Sequence, residues 1–110
     1  MSRVVHLVLF RPRPDLTVDD QEALFDAMGV AAREIPTVRG FRIGQHLANP
    51  PQYRLSGFPP FPWSALLEFD DEDGLRAYLA HPLHVDLGAR FNAAAEAALI
   101  YDYAIASEMA

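Results

Sequence analysis

Four histidines, His6, His46, His81 and His84, are the side chains of this 110-residue sequence that titrate near neutrality without help. The rest of the reactive inventory is narrow. There is no cysteine, so thiolate nucleophiles, disulfides and Cys-ligated zinc are excluded. All nine basic residues are arginine, and without a lysine amine no Schiff base, and hence no covalent pyridoxal phosphate, can form.

The densest concentration of chemistry is His81-Pro82-Leu83-His84, with Tyr78 six residues before its last histidine. Two histidines three apart on one helical face can share a metal. Here Pro82 falls between them and breaks the helix, and no carboxylate or third histidine is spaced to complete a ligand set, so no metal is expected. In a continuous helix Tyr78 and His84 would diverge by about 120°, since six residues turn roughly 600°. A kink at Pro82 could bring them together. A phenol beside an imidazole supplies a hydrogen-bond donor and a base of pKa about 6.5. That pair could remove a proton alpha to a carbonyl and hold the resulting enolate oxygen. The bland alternative is a hydrogen-bonded pair that braces a broken helix.

His6 lies among apolar neighbours, where a buried histidine with one hydrogen bond is the plain expectation, and His46 reads as a surface residue. The run Asp70-Asp71-Glu72-Asp73 suits a helix start, where acids complement the dipole. It lacks the spaced oxygens, turn glycine and terminal glutamate of a calcium loop. Dinucleotide, P-loop, serine-hydrolase and zinc-protease signatures do not occur, so those chemistries are not expected.

The elements that must position these groups follow from periodicity. Residues 3–11 read as a strand that is apolar on both faces, with Val4, His6, Val8 and Phe10 on one and Val5, Leu7 and Leu9 on the other. Pro12 and Pro14 end it. Thr17 is an N-cap for a helix that runs to about Glu34 with the stripe Leu24, Phe25, Met28, Ala31 and Ala32. Residues 38–44 form a second strand. A loop at 48–62 carries five prolines, which cannot supply ladder donors. Residues 63–69 alternate as a third strand. An acid-started helix carries Leu75, Tyr78 and Leu79 to the His81-Pro82 break. A further helix covers about 83–97, with Leu87, Phe91, Ala94 and Ala98 on one side, and a last strand spans 99–105.

The order β-α-β-β-α-β predicts an α+β, ferredoxin-like fold, an antiparallel four-stranded sheet with helices on one face. The length suits one domain over residues 1–110. Helices on one side leave Val5, Leu7 and Leu9 uncovered, and the cheapest cover is a second copy of the sheet, so a homodimer is expected. A net charge of −6 argues against nucleic acid or an anionic membrane as partner. The N-terminal apolar run is too short to span a bilayer and lacks a leader's organisation, so the expected location is cytoplasmic.

Four stretches together resemble the stress-responsive A/B barrel (Dabb) family of dimeric α+β barrels. They are Val5-His6-Leu7-Val8-Leu9-Phe10-Arg11, residues 35–44 around Gly40-Phe41-Arg42-Ile43-Gly44, residues 77–85 around His81-Pro82-Leu83-His84, and Ile100-Tyr101-Asp102-Tyr103. The resemblance spans nearly the whole chain outside the proline-rich loop. It implies a homodimer whose two sheets form a barrel with the helices outside. The family includes a cofactor-free cyclase that closes a linear polyketide by intramolecular aldol condensation. Carried over residue by residue, its catalytic groups fall on His84, as base, and on Tyr78, as donor to the carbonyl or enolate oxygen, and its strand-1 pocket histidine falls on His6, which would position the substrate or relay a proton in catalysis. Phe25, Met28 and Leu87 fall on its pocket wall, and the expected pocket also takes in Val8, Phe10, Phe41, Ala65, Leu67, Leu79 and Gly88. Where the cyclase has a pocket histidine at the start of the third strand, this chain has Trp63, an aromatic wall. The segment Phe58-Pro59-Pro60-Phe61-Pro62 is a candidate lid over that pocket. The implied function is a cofactor-free cyclase or lyase acting on a poly-β-keto or aromatic-like acyl substrate. Two alternatives stand beside it: a non-catalytic stress or ligand-binding dimer, and a cofactor-free monooxygenase of aromatic polyketides.

Overall fold

The computed structural model describes residues 2–47 and 60–108. The elements run β1 (Val4–Pro12), α1 (Val18–Glu34), β2 (Val38–Gln45), β3 (Trp63–Phe69), α2 (Glu72–Ala80), α3 (Pro82–Ala94) and β4 (Ala95–Ala104). The strands form one sheet in the order β2-β3-β1-β4, with every neighbouring pair antiparallel. This is the expected α+β, ferredoxin-like arrangement. Most of the 48–62 loop, and Phe58 and Pro59 of the candidate lid, lie outside the described residues. Phe61 sits beneath the Arg11 guanidinium, 5.4 Å from it, and does not border the cavity described below.

Each helix begins and ends for a local reason. The Thr17 hydroxyl accepts from the Asp20 N–H at 3.1 Å, and Asp19 and Asp20 sit where the α1 dipole favours negative charge. Leu24, Met28 and Ala31, four and three apart, with Ile35 four beyond, face the sheet and are buried. Asp71 caps α2 by accepting from the Gly74 N–H at 2.8 Å.

His81 closes α2 and opens α3. A residue before proline is pushed out of the helical region, and His81 is extended at φ −68° and ψ 139°. Its ring Nδ1 accepts from the Leu83 N–H at 3.1 Å, so the imidazole serves as a helix cap. Pro82 costs the second helix nothing at its first position, because that N–H would have no partner anyway.

Two boundaries differ from expectation. The last helix ends at Ala94 rather than near residue 97, and β4 begins at Ala95 rather than at 99. The alanines between them favour helix by propensity. Pairing of Arg11 with Ala97 and Pro12 with Ala95, and the Arg13 N–H bonded to the Ala94 carbonyl, draws them into the sheet instead. Ala98, placed on the helical stripe by periodicity, therefore faces Phe10 across β1 and β4.

The core lies between the helices and one face of the sheet, where Val4, His6, Val8 and Phe10 of β1 are all buried. On the opposite face no helix among the described residues covers Val5, Leu7 and Leu9, which remain half-buried. In register beside them stand Leu66 of β3 and Leu99, Tyr101 and Tyr103 of β4. Tyr101 is 44% exposed and Tyr103 53%, so the strands present a contiguous apolar face.

Candidate functional site

The strand that places His6 also supplies its partner. His6 and Asp102 are directly opposed across β1 and β4, on the helix side of the sheet. His6 Nδ1 lies 2.5 Å from Asp102 Oδ1. A carboxylate accepts, so Nδ1–H donates and the ring's Nε2 is left for other work. His6 is buried at 5% exposure, whereas the Asp102 side chain remains 42% exposed.

The break at His81 does for Tyr78 and His84 what a continuous helix would not. Tyr78 on α2 and His84 on α3 face one another with ring centroids 4.6 Å apart. Tyr78 also meets the edge of His6 at 5.9 Å, so the phenol stands between two imidazoles. Phe69 backs it at 5.3 Å. His84 Nδ1 lies 3.1 Å from the Leu79 carbonyl oxygen. A carbonyl cannot donate, so Nδ1 carries the proton and Nε2 bears the lone pair of a base.

The environment sets the protonation states that such chemistry needs. Burial pushes the His84 pKa down, against the Leu79 carbonyl, which raises it, and with nearby His6 lowering it further. The imidazole is therefore neutral at pH 7. Burial alone raises the Tyr78 phenol from 10.0 to about 12, which keeps it a donor. The raised value carries a stability consequence. Between pH 10 and 12 the unfolded chain ionises Tyr78 while the folded chain does not, so its contribution is complete below pH 10 and lost as pH rises through about 12. Thermal unfolding across that range is expected to show less alkaline destabilisation in Tyr78→Phe than in the parent; equal slopes would contradict it.

These three rings border one cavity of about 240 Å³ between the sheet and helices. That is slightly below the roughly 300–1,000 Å³ usual for small-molecule pockets. Val8 of β1, Phe41 of β2, Ala65 and Leu67 of β3, Met28 of α1, and Leu87 and Gly88 of α3 line it. Each belongs to the pocket expected from sequence. Phe10, Phe25, Trp63 and Leu79 do not line it. Phe10 is fully buried, edge-on to Phe25 at 6.2 Å and to Phe91 at 5.3 Å, and so is core. Trp63 packs on Phe25 at 4.9 Å, which corrects the expected aromatic pocket wall. Leu79, next to Tyr78 and about 100° further round the helix, is 37% exposed. What Leu79 contributes is its carbonyl.

Three further residues belong to the site that sequence reasoning did not single out, Asp102, Asn92 and Ile100, and Phe91 of the α3 stripe lines the cavity with them. An acid on the apolar face of a closing strand was the available signal for Asp102. Its meaning depends on β4 pairing with β1 in the register that sets it opposite His6. His46, exposed beyond β2, takes no part. Among the described residues no three histidine or acidic side chains converge where they could hold a metal ion.

Comparison with known proteins agrees with this architecture. A stress-response A/B barrel domain-containing protein of Arabidopsis thaliana is 26% identical over 102 residues, which cover 93% of this chain and 86% of the relative. Among solved structures, a hydroxynitrile lyase from Passiflora edulis superimposes with a TM-score of 0.85 at 17% identity, covering 99% and 98% of the two chains. A dimeric ferredoxin-like protein of unknown function from Thermobifida fusca has a TM-score of 0.75 at 24% identity, over 94% and 92%. SnoaB, a cofactor-independent oxygenase from Streptomyces nogalater, matches with a TM-score of 0.75 at 12% identity, over 99% and 98%. At these identities the structures speak for the fold alone. The sequence itself matches the model of the Stress responsive A/B Barrel Domain over residues 4–105, and the chain belongs to that family.

Proposed function

We propose that this protein is a cofactor-free cyclase or lyase whose first chemical step is proton abstraction alpha to a carbonyl. The carrying observation is a buried phenol set between two imidazoles at an apolar cavity, with the His84 Nε2 lone pair free. His84 takes the alpha proton, and the C–H pair moves into the new enolate. Tyr78 donates a hydrogen bond to the enolate oxygen, where preorganised donors contribute most. In a poly-β-keto substrate the enolate carbon then attacks a second carbonyl of the same chain. A carbon–carbon bond forms, and the new alkoxide recovers the proton from His84. His6, held by Asp102, orients the substrate or relays a proton. The hydroxynitrile lyase of Passiflora edulis shows that this fold can carry a lyase.

The step is tested without knowing the natural substrate. The protein is incubated with methyl n-heptyl ketone in deuterium oxide, and proton NMR follows loss of the alpha hydrogens. Exchange above the protein-free rate is expected, and its absence would remove the proposal. The reading in which His84 and Tyr78 only brace the helix break draws on the Leu79 contact, and it predicts no exchange. The monooxygenase alternative draws on the same fold in a cofactor-independent oxygenase, and it predicts oxygen uptake with an aromatic substrate in place of exchange; the packing of Trp63 on Phe25 takes away one feature that favoured it.

The proposed working state is a homodimer joined through the uncovered sheet face. Leu7 sits at its centre, between Leu66 and Tyr101. Dimeric proteins of the same fold, such as that of Thermobifida fusca, support the arrangement. Leu7→Asp would bury two like charges near a two-fold axis, a penalty of several kcal/mol. Sedimentation is expected to show a dimer for the parent chain and a monomer for the variant. A monomeric parent would contradict the arrangement.

A further inference from the structure

We infer that α3 measures the ligand along its length: an unbranched apolar arm crosses Gly88 and ends in a hydrogen-bonding group at Asn92. The inference rests on the proposed function only for which end of the ligand faces His84. His84, Gly88 and Asn92 are four apart and so share one helical face. All three border the cavity. Eight residues of helix span about 12 Å, so the polar group at Asn92 stands about that far from the base.

The middle of this face is bare. A Cβ built on Gly88 would meet nothing within 4 Å. Glycine within a helix costs stability relative to alanine. Neither close backbone packing nor a left-handed conformation requires it here. What its absent side chain leaves is room in a cavity whose lining includes Leu87, Met28, Phe91 and Ile100, all apolar.

The two ends differ in chemistry and access. Tyr78 and His6 are buried at 3% and 5% exposure, whereas Ile100 is 54% exposed and Asn92 is exposed as well. The exposed end of the lining thus falls on β4 and the last turns of α3. An amide at that mouth both donates and accepts, so it suits a hydroxyl, a carbonyl or an amide terminus without demanding charge. The ligand class is an enolisable ketone or acyl compound with a straight apolar arm and an uncharged polar terminus. A short arm would not reach Asn92.

The experiment titrates the full chain with methyl n-alkyl ketones from butyl to decyl, and with their ω-hydroxy counterparts, by ligand-observed NMR. In the parent protein affinity is expected to rise about fourfold per added methylene until the arm reaches the mouth, then to level. Gly88→Leu should bind the shortest ketones as the parent does and the longest roughly 30-fold more weakly. Gly88→Ala should fall between them, with melting temperatures confirming that both variants fold. Asn92→Ala should lose a severalfold preference for the ω-hydroxy ketone at the levelling length and leave the plain ketones unchanged. The inference is overturned if no ketone binds saturably, or if Gly88→Leu binds every chain length as the parent does. Chain-length selection lost in Gly88→Leu without deuterium exchange would sustain the measuring face and sink the proton-abstraction step. Exchange with a length profile indifferent to residue 88 would do the reverse.

Discussion

Replacing His84 with alanine is expected to lower ketone deuterium exchange by about 10²–10⁴-fold, the usual contribution of a positioned base. The folded state should survive the change. The ring is half-buried and makes one hydrogen bond, to the Leu79 carbonyl, and such a bond contributes about 0.5–1.5 kcal/mol net. Tyr78 keeps its packing against Phe69 and His6. A variant that loses exchange while melting within several degrees of the parent identifies a catalytic group. One that retains exchange but melts far lower identifies a brace, and would end the proposal. The pH profile gives an independent reading. The base works as the neutral imidazole, and burial holds its pKa below the ordinary 6.5. Exchange should therefore fall only in acid, below that ordinary value, and stay level through neutrality. The stability contribution of His84 has the same sense. Because the folded pKa is depressed, the contribution is complete above about 6.5 and is lost as pH falls through the folded value. His84→Ala should flatten that part of the acid melting profile.

Phe10→Ala is expected to cost about 3–5 kcal/mol, the range for truncating a fully buried aromatic. A domain of this size has roughly 5–15 kcal/mol to lose, so the melting temperature should drop by well over 10 °C. Phe10 has no exposed surface and is held edge-on by Phe25 and Phe91. Little can collapse into its place, because Phe25 is itself committed to Trp63. The expected effect is loss of stability, with ketone affinity at low temperature near the parent's. Calorimetry and the same NMR titration separate the two. A stable variant with altered chain-length preference would return Phe10 to the pocket wall where sequence comparison had set it.

These two residues show how far the sequence could be read. Both lie in a stretch of the family pattern, and both sit on elements that periodicity finds. For His84 the local signal opened the way without deciding it. A proline between two histidines disfavours a continuous helix and gives the tyrosine six residues back a route to the ring, and the structure sets the two rings beside each other. For Phe10 the signal was ambiguous. Alternation shows that it points to the helix side of β1, as do His6 and Val8, but that face carries both cavity and solid core. The division falls along the strand, with Val8 at the cavity and Phe10 beyond it. Side chains from α1 and α3 set that division, and their reach is invisible in a one-dimensional pattern. Trp63 was misplaced for the same reason. Its position at the head of β3 was legible, whereas its packing on Phe25 depends on how α1 lies across the sheet.

The alanine-rich junction between α3 and β4 failed in another way. Local propensity favours helix there, and the competing term is a ladder of hydrogen bonds to β1 more than eighty residues earlier. The same ladder makes Asp102 meaningful, because register alone sets its carboxylate against His6.

By itself the sequence determined the order of elements, the two-faced first strand, the break at Pro82 and the family, since each follows from local stereochemistry, periodicity or motif. Only the tertiary structure decided which residues of one face leave a cavity and which fill it, where β4 begins, and which acid holds His6. Those outcomes are set by contacts between segments far apart in the chain, and such contacts are worth more than the local preferences they override.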